Sequence, residues 1–180
     1  MTNSEKLSDV AVEQRAIAFS QLVDRNLNGS YRLAAVILGD RDEAEDATHD
    51  AAIRAWQKWP SLRDPERFQP WFQRILVNVC RDRMRRRRPT SDLRDAARYS
   101  TADWTQLSED RDRLRHALAQ LSAEHRIVIA LRYLADLRVS DIAERTGTSS
   151  GTVKSRLHYA LSRLRTAYEA AERIPKDAHP

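Results

Sequence analysis

An all-α protein made of two helical domains joined by a flexible linker is what this sequence of 180 residues predicts. Three observations carry that expectation. The chain is 32% charged and 41% hydrophobic with only four glycines, which favours a helical soluble protein over an all-β one. Apolar residues recur at helical spacing through most of its length. A stretch of weak periodicity rich in Ser, Thr and Asp, residues 89–108, divides it. The length suffices for one sizeable core or two small ones.

The same numbers exclude several classes. No apolar run approaches the ~18 residues of a membrane helix. The start, "MTNSEKLSDVAVEQ", lacks the basic and apolar pattern of a secretory leader. A lone cysteine, Cys80, cannot form an internal disulfide, fits a reducing cytosol and sits in the apolar run "RILVNVC" as a small core residue. A cytoplasmic location is the expectation. Net charge is +5 but unevenly spread: about −3 over residues 1–60, +6 over 61–90, −3 over 91–110 and +5 over 111–180. Two basic blocks separated by an acidic one point to a polyanion touched at two places.

Taken in order, the first helix lies within residues 12–38, with Ile17, Leu22, Leu27, Leu33 and Ile37 at helical spacing. Asn28 and Gly29 are expected to weaken or bend it, and Gly39 to end it. The next, "GDRDEAEDATHDAAIRAWQKWP", takes Asp40 or Asp42 as N-cap and carries acids in its first turns, where the helix dipole favours them. Ala44, Ala47, Ala51, Ala55 and Trp59 form a stripe of mostly small residues that lets a neighbour approach closely. Pro60 ends it, and "PSLRDPER" is a loop. A third helix spans roughly residues 67–87, with Trp71 or Phe72, Ile75, Val79 and Met84 on its apolar face. Pro70 is tolerable only in a first turn, so regular helix is placed near Gln69. Beyond the linker come four helical patterns, "EDRDRLRHALAQL", "SAEHRIVIALRYLADL", "RVSDIAERTG" and "SSGTVKSRLHYALSRLRTAYEAAE". Ser122 caps the second and Ser149 the fourth.

The pair "VSDIAERTG" and "SSGTVKSRL", joined by a turn at Gly147, has helix-turn-helix spacing. In such a unit the second helix enters the major groove. Small side chains at 149–152 let its N-terminus approach the DNA, where free backbone N–H groups bind phosphate. The competing reading is an ordinary helical hairpin with a solvated basic face. "CRDRMRRRRP" adds six arginines to the end of an apolar helix. The helix dipole accounts for one or two of them; neutralisation of phosphates accounts for the set. Trp56, Trp59, Phe68, Trp71 and Phe72 crowd around the loop, mostly as core residues, although aromatics beside arginines also stack unpaired bases. The acidic stretch contains His49-Asp50, but no ligand spacing accompanies it. Neither catalysis nor a metal or other cofactor is expected. An acidic face for docking a basic protein is.

In this combination the chain resembles bacterial RNA polymerase sigma factors of the extracytoplasmic-function type. The likeness rests on "GDRDEAEDATHDAAIRAW", "FQPWFQRILVNVCRDRMRRRR" and "LSAEHRIVIALRYLADLRVSDIAERTGTSSGTVKSRLHYALSRLR", and covers roughly residues 15–168. It implies a region-two-like domain over residues 1–88, a linker over 89–108, a region-four-like helix-turn-helix domain over 109–168 and a short tail over 169–180. It implies no enzymatic activity, and core RNA polymerase, promoter DNA in duplex and melted form, and an inhibitory anti-sigma protein as partners. By position, Asp46, Asp50 and Arg54 fall on the polymerase-docking helix. Arg63, Phe68, Trp71, Arg74, Asn78 and Arg81 fall on the surface that holds the melted minus-ten strand. Ser149, Gly151, Thr152, Lys154, Ser155, His158 and Tyr159 fall on the helix that meets the minus-thirty-five element.

Three departures from the family pattern bear on helix geometry. Arg138 stands where a Ser or Thr usually caps "DIAER", so that helix is expected to start at Ser140. Thr148 replaces a common aliphatic residue before the recognition helix. Pro70 replaces a helix former in the strand-melting helix. A duplex-binding regulator that needs no polymerase is the alternative, and the basic, Trp-rich helix of the first domain has no role in it.

Overall fold

The computed structural model describes residues 3–86 and 109–172. The expected linker, Arg87 and Arg88 lie outside the described residues. Among those described, every regular element is helical: α1 (Asn3–Leu38), α2 (Arg41–Lys58), two single 3-10 turns (Trp59–Ser61 and Pro65–Arg67), α3 (Phe68–Arg86), α4 (Glu109–Ala119), α5 (Ala123–Tyr133), α6 (Val139–Thr146) and α7 (Ser150–Glu172). The all-α expectation holds.

Local chemistry sets the boundaries. Gly39, at φ 72°, turns the chain out of α1 and donates its N–H to the Ala35 carbonyl at 2.8 Å. Asp40, rather than Asp42, then caps α2 by accepting from the Glu43 N–H at 2.9 Å. Ser122 and Ser149 accept from the third residue beyond, His125 at 3.4 Å and Thr152 at 3.1 Å, as the sequence predicts. Asn28 and Gly29 do not interrupt α1, which starts earlier than expected and stays unbroken to Leu38. Pro70 is the third residue of α3, where the N–H it lacks has no helical partner, so the helix carries it without a break. Arg138 does not delay α6 to Ser140; the helix starts at Val139. The Arg138 backbone N–H donates to the Asp141 carboxylate at 3.3 Å, half of a capping box achieved without a hydroxyl at the cap.

The first three helices form one bundle. Ala44, Ala47, Ala51 and Ala55 are fully buried and bring α2 against Leu33, Ile37, Leu76 and Val79. Phe72, not Trp71, is the buried member of its pair. Phe68 centres an aromatic cluster, stacked on Phe72 with centroids 5.4 Å apart and edge-on to Phe19 at 5.9 Å and Trp59 at 5.8 Å. Fully burying each such side chain stabilises by about 1.5–3 kcal/mol.

The helices α4–α7 form the second domain, with α4 and α5 both laid against the long α7. Its own small core is Leu121, Ile129 and Ala160. The other face of α5 belongs elsewhere. Ile127, Val128, Ala130 and Leu131 join the buried cluster of the first bundle, together with Ile142 and Val153. The two domains therefore share one continuous core, with α5 against α1 and α6 against α3.

Candidate nucleic-acid interface

The helix-turn-helix is α6–turn–α7. Gly147 adopts φ 68° and its N–H reaches the Ala143 carbonyl; a residue with a β-carbon meets no steric obstacle there, only backbone strain. Thr148 is half-buried, its hydroxyl 2.9 Å from that of Thr146 and its N–H 3.1 Å from the Ala143 carbonyl, so a polar residue is satisfied where an aliphatic one is usual. Ile142 and Val153 are fully buried and fix the crossing of the two helices. The opposite side of α7 faces outward. Ser149, Gly151, Lys154, Ser155, His158 and Tyr159 are exposed and Thr152 is half-buried. Tyr159 is 61% exposed, with the His158 ring edge-on at 5.6 Å. All seven residues picked from sequence are thus brought to one end of one helix. Free N–H groups, hydroxyls and a lysine at that end suit a phosphate backbone with base edges beside it.

The second predicted set sits on α3 and the turns before it. Arg63, Arg74 and Asn78 are exposed and Trp71 is half-buried. A cavity of ≈ 350 Å³ opens among Leu62, Arg63, Pro70, Trp71 and Arg74. Arg81 is not free: its Nε donates to Glu124 at 2.6 Å and its Nη1 to Asn78 at 3.0 Å. Phe68 departs from the group. It is 1% exposed and packs as core, because the 3-10 turn at Pro65–Arg67 directs it inward. Sequence reasoning missed Arg67, whose guanidinium lies at the same cavity and 2.7 Å from Glu144. Its place within a loop among other charges left no signal to single it out.

On α2 the acids gather around one cation. Arg83 of α3 pairs with Asp50 at 2.6 Å, Glu43 at 3.2 Å and Asp46 at 3.7 Å. Burial alone would lower its pKa; the hydrogen bonds and charges of Asp50 and Glu43 more than reverse this, so the guanidinium is held charged above its ordinary range. Arg54 pairs with Asp82 at 3.7 Å. Beside these carboxylates Ile53 is 57% exposed and Trp56 stands partly out of the core, with the Arg15 guanidinium 5.9 Å from its ring centre. An acidic surface with an apolar neighbour is suited to a basic protein helix. Among the described residues no group of His, Cys, Asp or Glu is arranged to hold a metal ion, and no helix is long and apolar enough to cross a membrane.

A helix-turn-helix packed on an aromatic, arginine-rich bundle with an acidic flank defines a sigma-70-type protein. The profile described as "Sigma-70 region 2" matches residues 22–90, and "Sigma-70, region 4" matches residues 117–166. The chain is 34% identical over 166 residues to ECF RNA polymerase sigma factor SigL of Mycobacterium tuberculosis, covering 89% of this chain and 93% of SigL. It is 32% identical over 136 residues to RNA polymerase sigma factor SigV of Bacillus subtilis, covering 75% and 81%. A solved structure of the sigma factor RpoE in complex with the anti-sigma factor NepR, from Bartonella quintana, superposes with a TM-score of 0.65 at 26% identity, over 84% of this chain and 96% of that one. CnrH, solved with the cytosolic domain of CnrY, shares the fold at a TM-score of 0.64. The chain belongs to the extracytoplasmic-function sigma factors, the RNA polymerase subunits of transcription initiation.

Proposed function

We propose that this sigma factor docks on core RNA polymerase through α2, reads an upstream promoter element with α7 and holds the melted strand of the downstream element with α3 and its preceding turns. Residues 1–88 carry docking and melting, and residues 109–168 carry upstream recognition. The observation that carries the reading is the exposed end of α7, where Ser149, Gly151, Thr152, Lys154, Ser155, His158 and Tyr159 lie together outside the core. Lys154 supplies charge, the serines and Gly151 permit close approach, and His158 and Tyr159 reach toward base edges.

For the melted strand, Arg63, Arg67, Arg74 and Arg81 supply phosphate contacts, Asn78 a polar edge and Trp71 a stacking face beside the cavity. Capture of an unstacked base there offsets the few kcal/mol that unstacking costs. Phe68 supports this surface from beneath rather than touching DNA. Asp46, Asp50 and Arg54 meet the polymerase, and no covalent chemistry is assigned to the chain itself. The solved complex of the sigma factor RpoE with the anti-sigma factor NepR supports a further partner, an anti-sigma protein. Run-off transcription with core polymerase on a randomised promoter library tests the reading. A defined pair of selected elements is the expected result; transcripts that start no more often than with core enzyme alone would overturn it.

A further inference from the structure

Two arginines of the strand-holding surface are already occupied by carboxylates, and both carboxylates come from the other domain. Glu144 of α6 lies 2.7 Å from the Arg67 Nη2. Glu124 of α5 meets Arg81 side-on, Nε to Oε1 at 2.6 Å and Nη2 to Oε2 at 3.4 Å, the two-point geometry in which an arginine also meets a phosphate. Glu144 and Arg145 close the cavity that Arg63, Trp71 and Arg74 line from the opposite side. Arg145, itself buried, fastens α6 there by donating to the Gln73 side chain at 2.7 Å. Glu124 also pairs with Arg156 of α7 at 2.6 Å, a half-buried side chain. The recognition residues Ser149, Lys154, Ser155, His158 and Tyr159 remain exposed in the same packed state.

We propose that the packed chain masks itself on one side only: Glu124 and Glu144 stand in for DNA phosphates on Arg81 and Arg67, which blocks the single strand but leaves the duplex-reading helix open. This rests on the assignment of α3 and its turns to the melted strand. The masking pairs are exposed or half-exposed ion pairs, which are individually weak and exchange readily with a stronger polyanion. The mask is thus released when the two domains part, as they must to span two separated promoter elements. Until then the chain finds duplex but cannot trap a breathing strand by itself.

The test uses the full chain without polymerase, titrated by fluorescence anisotropy against a labelled single strand and against the same strand annealed to its complement. Glu144→Gln is expected to raise single-strand affinity about threefold and Glu124→Gln/Glu144→Gln about tenfold. Duplex affinity of Glu144→Gln should change less than about twofold, because the exposed pair that is lost joins Glu144 to Arg67 and includes no residue of α7. Glu144→Asp, which keeps the charge, should behave as the parent. Asp136→Asn removes one negative charge from a turn outside the interface and should leave single-strand affinity unchanged. No single-strand gain in either Gln variant, an equal gain in Asp136→Asn, or an equal gain of Glu144→Gln on duplex overturns the proposal. The duplex comparison uses Glu144→Gln because Glu124 also pairs with Arg156 of α7. The run-off assay reports separately on the sigma assignment, since holoenzyme formation and promoter use do not depend on the mask.

Discussion

Arg126, in the first turn of α5, donates through Nη1 to the main-chain carbonyl of Ile37 at 3.0 Å, in the last turn of α1. Its Nη2 reaches the Leu121 carbonyl at 3.1 Å, so one guanidinium satisfies backbone oxygens of both domains. A cation at the end of α1 also meets the negative pole of that helix. The side chain is 7% exposed, and removing a buried charged donor leaves carbonyls unsatisfied. Arg126→Ala is expected to lower stability by about 2–4 kcal/mol and to loosen the two domains. Arg126→Lys, which lacks the planar fork, should recover only part of the loss. Urea unfolding together with small-angle scattering checks both; an unchanged radius and midpoint would refute the tie.

Neutralising Arg83 should unbalance the acidic face. With Arg83→Ala, Glu43, Asp46 and Asp50 face one another without their shared cation. The pairs are partly solvated, so the expected stability loss is about 1 kcal/mol and shrinks at high salt. Asp50→Arg, by contrast, should abolish co-purification with core polymerase while the circular dichroism spectrum stays helical. Retention of the polymerase by that variant would displace the docking face from α2.

Lys154→Ala should weaken upstream-element binding and reduce the slope of log K against log salt by about 0.9, the share of one phosphate contact. Lys154 is exposed at the open end of α7, so the fold should be unaffected. A filter-binding titration with the slope unaltered would exclude a phosphate role for this lysine.

Gly147→Ala should cost about 1–2 kcal/mol, from placing a β-carbon at φ 68°. Nothing lies within 4 Å of the added atom, so the loss is purely conformational. Thermal unfolding measures it, and Gly147→Asn should be milder because Asn tolerates the left-handed region better.

His125 gives the fold a pH dependence of definite sign. Burial, then repulsion from Arg163 and Arg156, lowers its pKa below the ordinary 6.5, against a smaller opposing pull from Glu124. The unfolded chain therefore binds this proton more readily than the folded one. Stability from this residue is complete above about pH 6.5 and falls as pH drops from there through the lowered value. Comparing urea midpoints of the parent and His125→Gln across that window should show a shallower fall in the variant; parallel curves would rule the effect out.

Helix positions, caps and the turn at Gly147 were determined by the sequence itself, because their hydrogen bonds link residues only a few positions apart. Asp40, Ser122 and Ser149 each bond three residues ahead. A glycine followed by small residues and then Val153, Leu157 and Leu164 states the helix-turn-helix in local terms, which is why the outward-facing set at the start of α7 was legible. Pro70 and Arg138 misled by a residue or so, since a first turn has spare N–H groups and a backbone N–H served where a hydroxyl was expected. Only the tertiary structure decided that Phe68 is core while Arg67 lines the cavity. It alone paired Arg67 with Glu144, 77 positions away, and Arg81 with Glu124, 43 away. Charge and periodicity show that a side chain is basic and outward. Which carboxylate reaches it depends on how α5 and α6 settle on α1 and α3, and that follows from apolar burial, which is non-directional and leaves no local pattern in the chain.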